Sequence, residues 1–293
     1  MATGRNEGPG QAKTLLTQMR VPCASPSSHL HRASQLRIIQ AIHLMGRETM
    51  RGPIATLGSM LLLAACNFSA DAQNHDAKPS GQNGSRAFEV GSFDKVALGG
   101  PHNVVVTVGG APSVRAEGDL GIIDKLDIRV EDGELEIGTK KGFSFKWNSD
   151  KSPVTVYVTL PALAAASIGG SGDMKIDKVS GDRFEGSIGG SGDMDIGALQ
   201  VKAASFSIAG SGGIRAKGKA ESGDVSVAGS GDLSLEGLEV QRTNVSIVGS
   251  GNVKARAMQS ADISIVGSGD VELSGPAKCN ISKMGSGEAR CTG

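Results

Sequence analysis

Aromatic residues are scarce in this chain of 293 residues, which holds one Trp, one Tyr and seven Phe. A core without large rings has to be assembled from many thin layers of Ile, Val, Leu and Ala. That suits a stacked solenoid better than a compact globule. Histidine is also sparse. Of five, only His75 and His102 follow Cys66, which argues against a His-based catalytic triad or a multi-histidine metal site. Lysine and arginine nowhere form a run, so the clustered basic face that nucleic acid requires is missing. No apolar stretch reaches the ~20 residues of a membrane-spanning helix.

The formal net charge of zero is unevenly spread. Seven basic residues (Arg5, Lys13, Arg20, Arg32, Arg37, Arg47, Arg51) and two acidic ones (Glu7, Glu48) precede Cys66, leaving 23 basic and 28 acidic residues downstream. The longest apolar run lies in that basic leader. Residues 50–66 join a positive start to a ~12-residue apolar segment and small residues before a break, the pattern of a secretory signal. Its end, Leu63-Ala64-Ala65-Cys66, resembles a bacterial lipobox, which would make Cys66 the lipidated first residue of the exported protein. Ala70-Asp71-Ala72 offers a second cleavage site, after which the product would be soluble and periplasmic. Asn67 is not the aspartate associated with inner-membrane retention, so the lipidated form is expected at the outer membrane. Residues 1–49 lie upstream of this signal and are read as a mis-called upstream start or a disordered leader. Residues 67–85, rich in Asn, Ser, Ala, Gly and Gln, read as a flexible tether.

Glycine is abundant, at 43 residues. Beyond the tether, strand patterns take over. Val104-Val106-Val108, Leu126-Ile128-Val130, Leu135-Ile137 and Val154-Val156-Val158-Leu160 alternate apolar with polar. Asp132-Gly133 between two such runs predicts a tight turn. Residues 86–166 are read as irregular N-terminal β coils. From Ser167 to Gly293 the chain repeats, with Gly-Ser-Gly centred on serines 171, 191, 211, 230, 250, 268 and 286, at intervals of 18–20 residues. Gly99-Gly100-Pro101-His102-Asn103-Val104 is read as a degenerate earlier copy.

Aligned on the first glycine of each motif, even offsets are apolar and predict an inward face. Examples are Ile168, Ile188, Ile208, Val227, Ile247 and Ile265, or Met174, Met194, Ile214, Leu233, Val253 and Val271. Both glycines fall on even offsets, where a Cβ would clash at a bend or a close approach. The fold expected is all-β, a right-handed parallel β-helix with 18–20-residue coils. Phe93-Asp94-Lys95-Val96, the Val104–Val108 strand, Leu135-Glu136-Ile137, Val154–Leu160 and the Gly-Ser-Gly-Asp copies together resemble the bacterial auto-transporter adhesin, head GIN domain family. The resemblance runs from about Phe88 to Gly293 and implies export and a β-solenoid. It brings neither a ligand nor a catalytic motif.

Odd offsets predict the outward face. Two serine ladders stand there, Ser167 to Ser282 and Ser171, Ser191, Ser211, Ser230, Ser250, Ser268 and Ser286. A carboxylate column follows, with Asp173, Asp193, Asp232, Asp270 and Glu288, interrupted by Gly213 and Asn252. The carboxylates are read as turn-formers with ordinary solvation, with cation binding as the other reading. Cys279 and Cys291 sit at inward offsets in the last copy and are expected to form a disulfide in an oxidising compartment.

The function expected is a non-catalytic envelope module for adhesion or scaffolding, which binds a repetitive partner through the Ser/Asp ladders. An unknown envelope protein or glycan is the expected partner, with a lipid anchor, self-association through the more apolar C-terminal end, and no cofactor, metal or nucleic acid. The alternative is a carbohydrate-active β-helix enzyme of polysaccharide lyase or hydrolase type, which would need acidic and basic groups converging in a groove.

Overall fold

The computed structural model describes residues 75–76, 80–144 and 154–293. The leader at 1–49, the signal at 50–66 with Cys66, and residues 67–74 and 77–79 of the tether lie outside the described residues. The described chain is a β-solenoid of about six turns. Each regular turn has three sides, and the strands run through the corners with little interruption, as in Met174–Ile188, Asp193–Gly210, Gly213–Gly229, Asp232–Gly249 and Asn252–Gly267. Each of these strands pairs in parallel with the next turn. Ser187 stands beside Ser207, Ser207 beside Ser226 and Ser226 beside Ser246.

Strict alternation along each side explains the core. The apolar even offsets are buried from turn to turn, including Ile208, Val227, Ile247 and Ile265 before the corner and Met194, Ile214, Leu233 and Val253 after it. A third side, from Lys178 to Phe184 and its counterparts, adds Val179, Leu199, Leu238, Val201 and Val240 to the same core. The turn-to-turn intervals vary because register shifts fall between the second and third sides, at Ile196/Leu199, Arg215/Lys217 and Leu235/Glu239, with a further one at Val240/Arg242. The Gly-Ser-Gly corner keeps one phase throughout.

Two features of that corner require glycine. Gly229 has φ +132, a left-handed region that disfavours side chains. At Gly231 a Cβ would lie 2.5 Å from the Gly212 carbonyl oxygen and 2.6 Å from Ile208 Cγ2. Main-chain bonds occupy that space. The Ser230 N–H donates to Gly210 O at 2.9 Å and the Asp232 N–H to Gly212 O at 3.2 Å.

The first turn is built from Lys95–Leu98 and Asn103–Val108, in register with Ala165–Ile168 and Met174–Ile176. Gly99-Gly100-Pro101-His102 therefore occupies the first corner. An insertion after Val108 folds back as an N-terminal cap. One sheet extends through Glu134–Thr139 to its antiparallel partner Leu126–Glu131, joined by Asp132 (φ 49) and Gly133 (φ 77) in the tight turn. The other extends through Thr155–Leu160 to Ser113–Asp119 and Asn83–Phe88.

A single helical turn, Leu120–Ile123, is the one helix among the described residues. Asp119 caps it by accepting from the Gly121 N–H at 2.8 Å and the Ile122 N–H at 3.3 Å. The same carboxylate accepts from the Ser80 N–H at 2.8 Å and the Gly81 N–H at 2.6 Å. The end of the segment read as tether is thereby pinned to the body, and Asn83–Phe88 continues it as a strand.

At the other end lie Lys278–Gly285 and Ala289–Thr292, with Ile281 42% and Met284 73% exposed. Cys279 and Cys291 are joined as a disulfide with Cα atoms 6.8 Å apart. Lys283 occupies the inward column filled by Ile or Val in the six preceding copies. It is exposed at this open end, and its Nζ donates to Gly287 O at 3.3 Å.

Candidate functional site

The outward columns are shaped by the corner. Ser171, Ser191, Ser211, Ser230, Ser250, Ser268 and Ser286 are all exposed, and they stand at the bend itself. The serines of the other ladder, from Ser167 to Ser282, lie on the side before it, and Asp173, Asp193, Asp232, Asp270 and Glu288 open the side after it. The structure thus brings the predicted residues together as a ridge with two flanks, where alternation alone predicted a single outward face. The strand period carries no information about where the coil turns.

Hydrogen bonds assign the carboxylates a first task. Asp173 Oδ1 accepts from the Asp193 N–H at 3.0 Å, Asp232 Oδ1 from the Asn252 N–H at 3.2 Å and its amide at 2.9 Å, and Asp270 Oδ1 from the Glu288 N–H at 2.8 Å. Each of these acids satisfies a main-chain donor of the following turn, at a corner where the ladder is interrupted. Each is thereby held as a defined, evenly spaced acceptor. Of the serines, Ser268 and Ser286 face one another with hydroxyl oxygens 3.1 Å apart.

One column escaped sequence reasoning. Two residues before the first serine ladder stand Asp224, Asn244, Asp262 and Asn280, and they alternate acid with amide. The Asn244 amide donates to Asp224 Oδ1 at 2.8 Å and the Asn280 amide to Asp262 Oδ1 at 3.1 Å. With Ser226, Ser246 and Ser264 they line a shallow groove of about 620 Å³ along the solenoid. The signal was present as the odd offset five before the glycine. It is polar only from Glu185 onward and changes residue type at each turn.

Beside this groove the column between the two serine ladders grows from Gly169 and Gly189 through Ala209 and Ala228 to Val248, Val266 and Met284. The last three are exposed by 56%, 46% and 73%. A second groove of about 770 Å³ lies at the N-terminal cap near Asn83, Glu117 and Tyr157. A third, about 280 Å³, lies by Asp270, Glu272, Glu288 and Arg290.

Two buried groups are perturbed. Burial pushes the His102 imidazole down to about 4, so it is neutral at ordinary pH. Burial alone would raise the Asp119 carboxyl, but donors from Ser80, Gly81 and Ile122 outweigh it and hold it below the ordinary carboxylate value. Asp119 lies in the N-terminal cap, whereas His102 occupies the first corner, directly beneath Gly172 and beside the first serine rung at Ser171. Among the described residues, no three His, Cys, Asp or Glu side chains gather as a metal ion requires. Ion pairs on the other faces, such as Lys202–Asp182 at 2.7 Å and Lys254–Glu272 at 3.7 Å, are exposed and scattered. What the ladders offer chemically is a repeated set of hydroxyl, amide and carboxylate groups at one rung spacing, ~4.8 Å.

Residues 92–277 match the family described as "Putative auto-transporter adhesin, head GIN domain". Among solved structures the chain is similar to a "putative adhesin" from Bacteroides fragilis NCTC 9343, at 23% identity over 73% of this chain and 98% of that one, with a TM-score of 0.67. It is also similar to a "putative lipid binding protein" from Parabacteroides distasonis ATCC 8503, at 24% identity over 75% and 100%, TM-score 0.62. A "putative adhesin" from Parabacteroides merdae ATCC 43184 matches at 18% identity over 74% and 98%, TM-score 0.59. At these identities the likeness is one of fold. No curated protein matches the sequence.

Proposed function

We propose that this chain, which belongs to the auto-transporter adhesin, head GIN domain family, is a non-catalytic exported module that binds a repetitive partner along its serine ridge and flanking groove. The observation that carries this reading is the constant phase of the corner. The interval shifts between 18 and 20 residues, yet Ser207, Ser226, Ser246, Ser264 and their neighbours stay in register because the shifts fall elsewhere. A surface that repeats the same groups at each rung offers many equivalent weak contacts. Such contacts act together when the partner also repeats, as a glycan or a polymeric envelope protein does. Catalysis instead needs unlike groups converging on one reacting atom.

In this reading the module is exported by the signal at 50–66 and held at the outer membrane by lipid on Cys66. Mass spectrometry of the membrane fraction is expected to find a diacylglycerol-modified N-terminus there. A soluble product beginning at Gln73 would contradict the anchor. The binding reading is tested by a glycan and envelope-protein binding screen of the purified protein. Ser250→Lys with Ser268→Lys is expected to weaken capture at least tenfold while leaving circular dichroism unchanged. Turnover of a polysaccharide, abolished by a single carboxylate substitution, would overturn it.

A further inference from the structure

The sheet that carries the groove ends at both extremities in a strand paired on one side only. Among the described residues, Leu126–Glu131 at the N-terminal cap pairs with Glu134–Thr139 alone, and Lys278–Gly285 pairs with Asn252–Gly267 alone. Each free edge exposes a row of main-chain donors and acceptors able to template another strand. Each also leaves the core unfinished. Ile128 and Val130 are only partly buried against it, and Ile281 is 42% exposed at the other end.

The two edges differ in charge. Asp127 and Glu131 project from the first, next to Asp132, Glu134 and Glu136. Arg129 is the one cation among them and is already shared with Asp127, Glu131 and Glu136. The second edge carries Lys278 and Lys283. Glu288, just before the last strand, is engaged by Arg290 at 2.5 Å.

We propose that a second copy of this chain stacks on the C-terminal turn, its Leu126–Glu131 edge pairing with Lys278–Gly285, so that protomers add head to tail. Leu126–Glu131 runs opposite to the rest of its sheet, so this junction is antiparallel. A register that sets Ile281 against Ile128 keeps inward side chains inward. It also places Lys278 opposite Glu131 and Ser282 opposite Asp127, while Lys283, in the inward column, falls opposite Leu126 at the rim of the core. The same charges select the arrangement. Two C-terminal ends would bring lysines together and two N-terminal ends would bring carboxylates together, so both symmetric dimers are disfavoured. A heterologous contact between unlike ends does not close after two copies. Stacking would also lengthen the serine ladders.

Sedimentation velocity of the purified protein across concentration and salt tests this. The mass is expected to rise past that of a dimer with concentration, and to fall at 1 M salt, where screening shortens from about 10 Å to about 3 Å. Lys278→Glu with Lys283→Glu, and separately Asp127→Lys with Glu131→Lys, should each sediment as one protomer. Mixing the two variants restores opposite charges at every junction and is expected to recover the higher masses, which also shows that both are folded. A protein that stays monomeric at all concentrations, growth that stops at a dimer, masses unmoved by either variant, or a mixture that remains monomeric would each overturn the proposal.

Discussion

Gly231→Ala adds one methyl group at a place where the chain has no room for it. The built Cβ lies 2.5 Å from Gly212 O and 2.6 Å from Ile208 Cγ2, and real Cβ contacts essentially never fall below 3.0 Å. The two turns must therefore separate locally by at least about 0.5 Å. The Asp232 N–H to Gly212 O bond, already 3.2 Å, would lengthen beyond a useful hydrogen bond. Losing it costs about 0.5–1.5 kcal/mol. Forcing a methyl group into packed surroundings adds about 1–3 kcal/mol. The sum is about 1.5–4.5 kcal/mol. Gly189→Ala provides the control, since its Cβ would meet nothing nearer than Ile168 O at 3.8 Å, and the same column holds Ala209 and Ala228 in the next turns. That change is expected to be neutral or stabilising by up to about 1 kcal/mol, through reduced freedom of the unfolded chain. Urea unfolding of both variants at unchanged slope measures the difference as a shift in midpoint. Coincident midpoints for the two variants would refute the argument that glycine at the corner is a matter of inter-turn space.

Replacing Cys279 and Cys291 with Ser is expected to remove about 2–3 kcal/mol and to fray the last turn, seen as faster amide exchange there; two reactive thiols beyond residue 66 in unreduced, unfolded protein would mean no bridge exists. The His102 imidazole titrates near 6.5 when unfolded and at about 4 when folded, so the unfolded state binds the extra proton first. Stability should therefore decline by about 3 kcal/mol as pH falls from 6.5 to 4, and His102→Leu should flatten that window; a wild-type protein with constant stability across it would refute this. Asp119 has its folded value depressed, so its contribution is complete above the ordinary carboxylate range and lost as pH falls through the folded value. Asp119→Ala is expected to cost about 1–3 kcal/mol at neutral pH and to expose Ser80–Gly81 to proteolysis; unchanged midpoint and cleavage would count against the clamp.

The regular turns were legible because their first two sides flank the motif, one ending at it and the other starting from it. Once Gly-Ser-Gly is aligned, the inward columns from Ala166 to Ile263 and from Met174 to Val271 follow from a period of two. The third side carries no such marker. Val179, Leu199 and Leu238 share a column, but the register shifts at Ile196/Leu199 and Arg215/Lys217 slide it relative to the glycines, so a fixed offset misses it. The helix at Leu120–Ile123 is one turn long and is held by Asp119, whose partners at Ser80 and Gly81 lie about forty residues away. No local pattern encodes that contact. At the candidate site the serines and carboxylates could be named in advance. Their division into a ridge and two flanks depends on where the coil bends, and the Asp224–Asn280 column was hidden by its alternating chemistry.

Main-chain hydrogen bonds between turns run along the solenoid axis, and this decides how the module would respond to load. If it is held at its N-terminal end while a partner tugs near Met284, those bonds are stretched one row after another instead of being sheared together. The last turn would peel first, up to the point where the Cys279–Cys291 bridge keeps a loop closed. Each further turn of 18–20 residues that detached would pay out roughly 65 Å of slack in exchange for a step of ~4.8 Å. A chain built this way yields gradually and re-winds against the turn beneath it, the behaviour of a tether that absorbs a pull without letting go.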